Sequence, residues 1–106
     1  MPSHRTQLHV LAYDISMDPA RLVQVHRIVR KWGFPLQYSV FLIPATPAQI
    51  RALLVELDSI IDPRRDDIRV YPLPTTVDIV QLGRGSGDDG LNLFAGKDAT
   101  APTLFL

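Results

Sequence analysis

Phe34-Pro35-Leu36-Gln37-Tyr38-Ser39-Val40-Phe41-Leu42-Ile43 is the stretch on which the fold turns. Its pattern is that of a strand throughout. Taken unbroken, it gives one strand of a four-stranded chain. With a tight bend at Tyr38-Ser39 it gives two strands, a hairpin, and a different architecture. Periodicity alone makes it one continuous strand; the pattern leaves room for a bend around Tyr38-Ser39 without proving one.

Upstream lies Leu8-His9-Val10-Leu11-Ala12-Tyr13, an apolar run that reads as a strand buried on both faces. Asp14 and Ser16 break it. Asp18-Pro19 then has the form of a helix start, with Asp18 as N-cap and Pro19 in the first helical position. Leu22, Val25, Ile28, Val29 and Trp32 recur at helical spacing, so the helix runs to about Trp32 and Gly33 stops it.

Downstream, Thr46-Pro47-Ala48-Gln49 opens a second helix with the residues of a capping box. Ile50, Leu53, Leu54, Leu57, Ile60 and Ile61 form its apolar stripe, and Asp62-Pro63 closes it. Pro63 to Asp67 reads as an exposed charged turn. Ile68-Arg69-Val70-Tyr71 alternates like a half-exposed strand. Val77 to Leu82 reads as a further strand ending at Gly83. Residues 1–83 form the expected domain, and residues 84–106 a flexible, Gly-rich tail suited to docking a partner.

With a bend in 34–43 the order is β-α-β-β-α-β. That is an α+β, ferredoxin-like split βαβ sandwich carrying an extra C-terminal strand. Such an extra strand often completes the sheet of a second copy, and a dimer adds buried area to a small core.

Bulk properties narrow the function. The chain has 106 residues, 46% hydrophobic, which suits one modest core. It has no cysteine, which excludes disulfides, thiol catalysis and Cys-based zinc sites. Lys+Arg and Asp+Glu both number 11, so the zero net charge argues against a histone-like electrostatic binder and leaves room for a local basic stripe. No apolar run approaches the roughly 20 residues of a membrane span. The polar start lacks a signal-peptide pattern, and the expected location is cytoplasmic.

Asp14 is the foremost candidate for chemistry. A carboxylate at a strand exit stands on the rim of a sheet, where metal ions and phosphates are handled. The alternative is a turn aspartate capping the next segment. Arg21, Arg27, Arg30 and Lys31 make the first helix basic. Arg27, Arg30 and Lys31 share one surface at i, i+3 and i+4, which reads as phosphate contact or as an ordinary solvated face. Tyr13 and Phe41 read as core or dimer packing. Ser39 reads as a bend residue or a phosphate contact near Asp14. It has no activating base in view and is rejected as a nucleophile. His4, His9 and His26 lack metal-ligand spacing.

Taken as a set, Tyr13-Asp14-Ile15-Ser16, Gly33, Gln37-Tyr38-Ser39-Val40-Phe41, Thr46-Pro47-Ala48 and Ile68-Arg69-Val70-Tyr71-Pro72-Leu73 resemble the CRISPR-associated protein two family of spacer acquisition. The resemblance spans about residues 8–83. It implies a symmetric homodimer with two facing sheets. It also implies Asp14 of both subunits near the dimer axis, able to hold Mg2+ or Mn2+. Some members are metal-dependent nucleases on single-stranded RNA or double-stranded DNA. Others bind DNA and bridge subunits of the CRISPR integrase without cleaving. A ferredoxin-like toxin ribonuclease is a third reading, by fold alone. The sequence departs from the family pattern at Arg21-Leu22-Val23-Gln24, at Phe34-Pro35 and at Leu42, where charges are fewer.

Overall fold

The stretch 34–43 is a hairpin. In the computed structural model, which describes residues 5–78, 80–83 and 103–105, Tyr38 and Ser39 form its turn. Strand β2 spans Phe34–Gln37 and β3 spans Val40–Ala45. Register shifts between Pro35 and Gln37, an irregularity that twists the strand locally. Pro35 has no N–H to donate, and it is tolerated because β2 is an edge of the sheet.

The remaining elements come in the expected order. They are β1 (Gln7–Asp14), α1 (Pro19–Trp32), α2 (Pro47–Asp58) and β4 (Asp67–Pro72). The strands form one antiparallel sheet in the order β2-β3-β1-β4. This is the βαββαβ sandwich. Strand β5 (Thr76–Asp78) is shorter than the expected 77–82 and pairs antiparallel with β6 (Thr103–Phe105) in a separate two-stranded sheet. Residues 84–102 and 106 lie outside the described residues, and with them most of the proposed docking tail.

Both helices pack on one face of the four-stranded sheet. Leu11, Tyr13, Phe41, Ile43 and Ala45 meet Val25 and Val29 of α1 and Ile50, Leu53 and Leu57 of α2. The alternate strand residues point to the other face. There Leu8 and Leu42 are buried with Val10, Leu36 and Leu73 packed around them. The Leu73 N–H donates to the Leu8 carbonyl at 2.9 Å, which draws the chain after β4 back along β1.

The helix starts match their sequence signals. Asp18 accepts from the Arg21 N–H, and Thr46 and Gln49 form a reciprocal capping box. Gly33 stops α1, but not through left-handed geometry: its backbone is extended, with φ −161°. A Cβ there would collide with the Leu42 carbonyl oxygen and lie 2.5 Å from Ile43 Cδ1. Glycine is needed because β3 passes so close.

Three expectations need correction. Helix α2 ends at Asp58, not just before Asp62. The Leu57 carbonyl accepts from both the Ile60 and Ile61 N–H groups, which tightens the chain into a turn. Leu54 is exposed and lines an open groove of about 390 Å³ with Val55, Leu57, Asp58, Ile61 and Ile68, rather than joining the core. The turn at 63–67 is not wholly solvated, because the Asp66 side chain is fully buried.

Candidate metal and nucleic-acid site

Asp14 is the last residue of β1 and is exposed. It shares the helix-free face of the sheet with Val10 and Ala12 and stands directly across from Asp67 of β4. Like charges in cross-strand register repel. Asp67 is offset by Arg69, whose Nε donates to it at 2.8 Å. No cation stands against Asp14 among the described residues.

The loop after Asp14 is held from outside. The Ser16 N–H donates to Asp66 Oδ1 at 2.9 Å, and the Ser16 carbonyl accepts from Arg21 Nη2 at 3.1 Å. Arg21 Nε donates to Asp66 Oδ2 at 2.5 Å, and Nη1 donates to Asp18 Oδ2 at 2.9 Å. The Asp62 N–H also donates to Asp66 Oδ2, at 2.8 Å. The Arg21 guanidinium first, then these backbone donors, hold the Asp66 carboxyl down at about 2. Between Ser16 and Asp18, Met17 adopts a left-handed backbone, φ 54°, and the residue is 92% exposed.

Tyr13 and Phe41 belong to the helix-side core, where their rings stack with centroids 6.3 Å apart. The Tyr13 hydroxyl donates to the Tyr38 carbonyl at 3.3 Å and lies 2.8 Å from His26 Nδ1, so an Nδ1–H of His26 completes the chain of donors. Burial, and after it the neighbouring Tyr38 phenol, pushes the Tyr13 hydroxyl above its ordinary value. Ser39 sits in the hairpin turn, and its carbonyl accepts from the Tyr13 N–H at 3.0 Å. The hairpin turn thus rests on the residue before Asp14.

The basic residues of α1 divide. Arg27, Arg30 and Lys31 are exposed. Arg30 and Lys31 fall in the last turn, where cations also complement the helix C-terminus. Arg21 is drawn inward, with only 17% of its side chain exposed and its donors directed at Asp66, Asp18 and Ser16. Sequence alone groups Arg21 with the surface cations, and the structure separates it from them. Sequence alone also misses Asp66, for the complementary reason: it stands in a charge run, and no local signal pairs it with a residue 45 positions earlier.

As a metal ligand, Asp14 offers hard carboxylate oxygens at an exposed rim, the donor type that Mg2+ and Mn2+ prefer. Among the described residues no group of three His, Asp or Glu side chains converges on a metal position. His9 is buried with Nδ1–H donating to the Ile43 carbonyl at 3.2 Å, and His26 is engaged by Tyr13. Among the described residues at this rim, Asp67 is engaged by Arg69, and Asp14 is the carboxylate left to a metal. That donor set fits a largely hydrated ion.

Comparison with known proteins gives one answer. The sequence pattern of the family described as CRISPR associated protein Cas2 matches residues 7–78. The chain is 38% identical over 87 residues to the CRISPR-associated endoribonuclease Cas2 2 of Thermodesulfovibrio yellowstonii, covering 81% of this chain and 94% of that one. It is 38% identical over 82 residues to the CRISPR-associated endoribonuclease Cas2 1 of Nitrosomonas europaea, covering 77% of each. Among solved structures, Streptococcus pyogenes Cas2 superposes with a TM-score of 0.59 at 34% identity, over 63% of this chain and 86% of that one. The Thermus thermophilus protein TT1823 superposes with a TM-score of 0.68 at 28% identity, over 76% and 94%. With the hairpin at 34–43 and the strand-end aspartate in place, this chain belongs to the CRISPR-associated Cas2 family.

Proposed function

We propose that this chain acts in CRISPR adaptation as a homodimer that binds DNA, bridges integrase subunits, and cleaves phosphodiester bonds of RNA or double-stranded DNA through Asp14. One observation carries the reading. The helix-free face of the sheet combines an apolar stripe (Val10, Ala12, Leu36, Val40, Leu42) with the exposed carboxylate of Asp14 at its rim. Pairing two such faces buries the stripe and gives both copies of Asp14 to one interface.

Asp14 of each copy would hold Mg2+ or Mn2+, and Asp67 stays with Arg69. When bound, the ion supplies charge neutralisation at the scissile phosphate and activation of water. The chain's own part is to present the paired carboxylates and to seat the nucleic acid. Arg27, Arg30 and Lys31 serve as sequence-independent phosphate contacts, doubled by the dimer axis. Arg21 is left out of that set, because Asp66 and Asp18 engage its guanidinium. The endoribonuclease name of the Thermodesulfovibrio yellowstonii relative supports RNA as a substrate class. The match to the Cas2 family favours the CRISPR reading over the fold-level analogy with a toxin ribonuclease.

The test uses purified protein and Asp14→Asn with labelled single-stranded RNA and duplex DNA, in Mg2+, Mn2+ or EDTA. Cleavage that needs metal and vanishes in Asp14→Asn supports the nuclease and names its substrate. Equal cleavage by both proteins, or none by either, sinks Asp14 catalysis and leaves the DNA-bridging role. That role is tested by spacer acquisition with the integrase, which Asp14→Asn then spares.

A further inference from the structure

Asp14 is the end of a strand, and the chain beyond it has no regular structure until α1 begins at Pro19. A carboxylate in that position is only as well placed as the loop behind it. The loop is fixed at Ser16, two residues on, by its N–H on Asp66 and its carbonyl on Arg21. Asp66 also immediately precedes Asp67, the first residue of β4 and the cross-strand partner of Asp14. One buried carboxylate therefore ties down the exit of β1 and the entry of β4.

Neither local element needs this contact for its own completion. Asp18 already caps α1, and the Asp62 side chain already accepts from the Arg64 N–H in the turn before β4. The contact to Ser16 is additional, and it spans 50 residues of sequence. Met17 beside it keeps a left-handed backbone without being glycine and without burying its side chain. Such a conformation persists only where its flanks are over-determined. Here Ser16 and Asp18 are those flanks, and Arg21 grips both.

We infer that Asp66 is a positioning residue for Asp14, acting through Ser16 and Arg21 to fix the rim on which the metal and phosphate are handled. The inference rests on the Asp14 reading given above. Asp66 touches no substrate. Its role is to hold the strand exit against the thermal freedom that an exposed loop otherwise has.

The experiment compares Asp14→Asn, Asp66→Asn and the double variant R21M/D66L with the unaltered protein. Asp66→Asn keeps the shape but sets an amide donor against Arg21 in either orientation, and against the Ser16 N–H in one of them, so the Ser16 readout is taken from the double variant, where no acceptor remains. The double variant removes both charges together, so that neither is left buried and unpaired, and its circular dichroism spectrum checks that it is folded before the other readouts are taken. Three readouts are taken: hydrogen exchange of the Ser16 amide by NMR, Mn2+ binding by water-proton relaxation, and kcat and KM for cleavage. The expected result is a Ser16 amide that loses protection, with Mn2+ affinity and kcat reduced about tenfold or more. KM for nucleic acid stays unchanged, because the exposed cations of α1 are untouched. A folded variant with a freed Ser16 amide and unaltered Mn2+ affinity and kcat overturns the inference. So does a Ser16 amide that stays protected. If Asp14→Asn itself leaves Mn2+ binding intact, the Asp14 reading falls, and this inference with it. If Asp14→Asn abolishes binding and the double variant spares it, this inference alone falls.

Discussion

Arg21 and Asp66, 45 residues apart in sequence, meet through two guanidinium donors on one fully buried carboxylate. This pair ties the loop after Asp14 to the turn before β4. It gives the protein a specific sensitivity to acid. The Asp66 carboxyl is lowered from 3.8 to about 2, with the Arg21 contact the largest cause. A carboxylate with a depressed pKa binds its proton less readily folded than unfolded, so its stabilisation is present above the unfolded value. That stabilisation is complete above pH 3.8 and disappears as pH falls toward about 2. Unfolding midpoints measured between those limits should drop steeply for the unaltered protein. In the R21M/D66L variant the same curve should be flatter, with the remaining carboxylates supplying the residual slope.

Gly33→Ala tests the close passage of β3 over the end of α1. The backbone at Gly33 is extended, so the added methyl brings no conformational strain of its own. Its cost is steric, against the Leu42 carbonyl oxygen, and a strand backbone cannot swing aside as a side chain would. The expected destabilisation is about 1–3 kcal/mol, the range for overpacking a filled site. Denaturant unfolding measures it. A neutral result would mean that β3 shifts freely, contrary to its place inside the sheet.

Tyr13→Phe removes one oxygen from a chain of donors. The ring can still stack on Phe41, but His26 Nδ1 and the Tyr38 carbonyl lose their partner. A buried polar group left unpaired costs about 1–3 kcal/mol, and partial access of water to the hairpin turn puts the expectation at the low end. Thermal unfolding checks the magnitude. In the unaltered protein, ultraviolet titration should show Tyr13 ionising above its ordinary value of 10.

Much of this architecture is legible in the sequence because its signals are local. Asp18-Pro19 and Thr46-Pro47-Ala48-Gln49 start the two helices where they indicate. The alternation at 68–71 marks β4. The turn at Tyr38-Ser39 is different. It contains no glycine, asparagine or proline, so pattern offers a bend there without requiring one. Ile60 and Ile61 extend the stripe of α2 beyond the end of the helix, since both pack on the core from a turn as well as from a helix. Asp14 stands out as a carboxylate closing an apolar run. The Arg21–Asp66 contact that supports it does not stand out, because the sandwich alone brings residues 21 and 66 together.

The proposed dimer makes the helix-free face the most sensitive surface of the sheet. Val10 and Leu42 are cross-strand partners on it, and Ala12 pairs with Val40 in the next positions. Leu42 is already buried within one chain, so its loss would damage the fold. Ala12 is only partly covered, and a long charged side chain there can extend away from the sheet. Ala12→Arg is therefore expected to leave the chain folded while placing a charge in an interface that offers it no partner. Light scattering after gel filtration should show the unaltered protein at twice the chain mass and Ala12→Arg at the chain mass. Mn2+ binding should fall with the dimer, because each chain brings one Asp14 to the shared interface. A variant that is monomeric and still binds Mn2+ as tightly would show that Asp14 needs no second copy. The metal site would then have to be sought within one chain, with Asp67 released from Arg69 as the first group to examine.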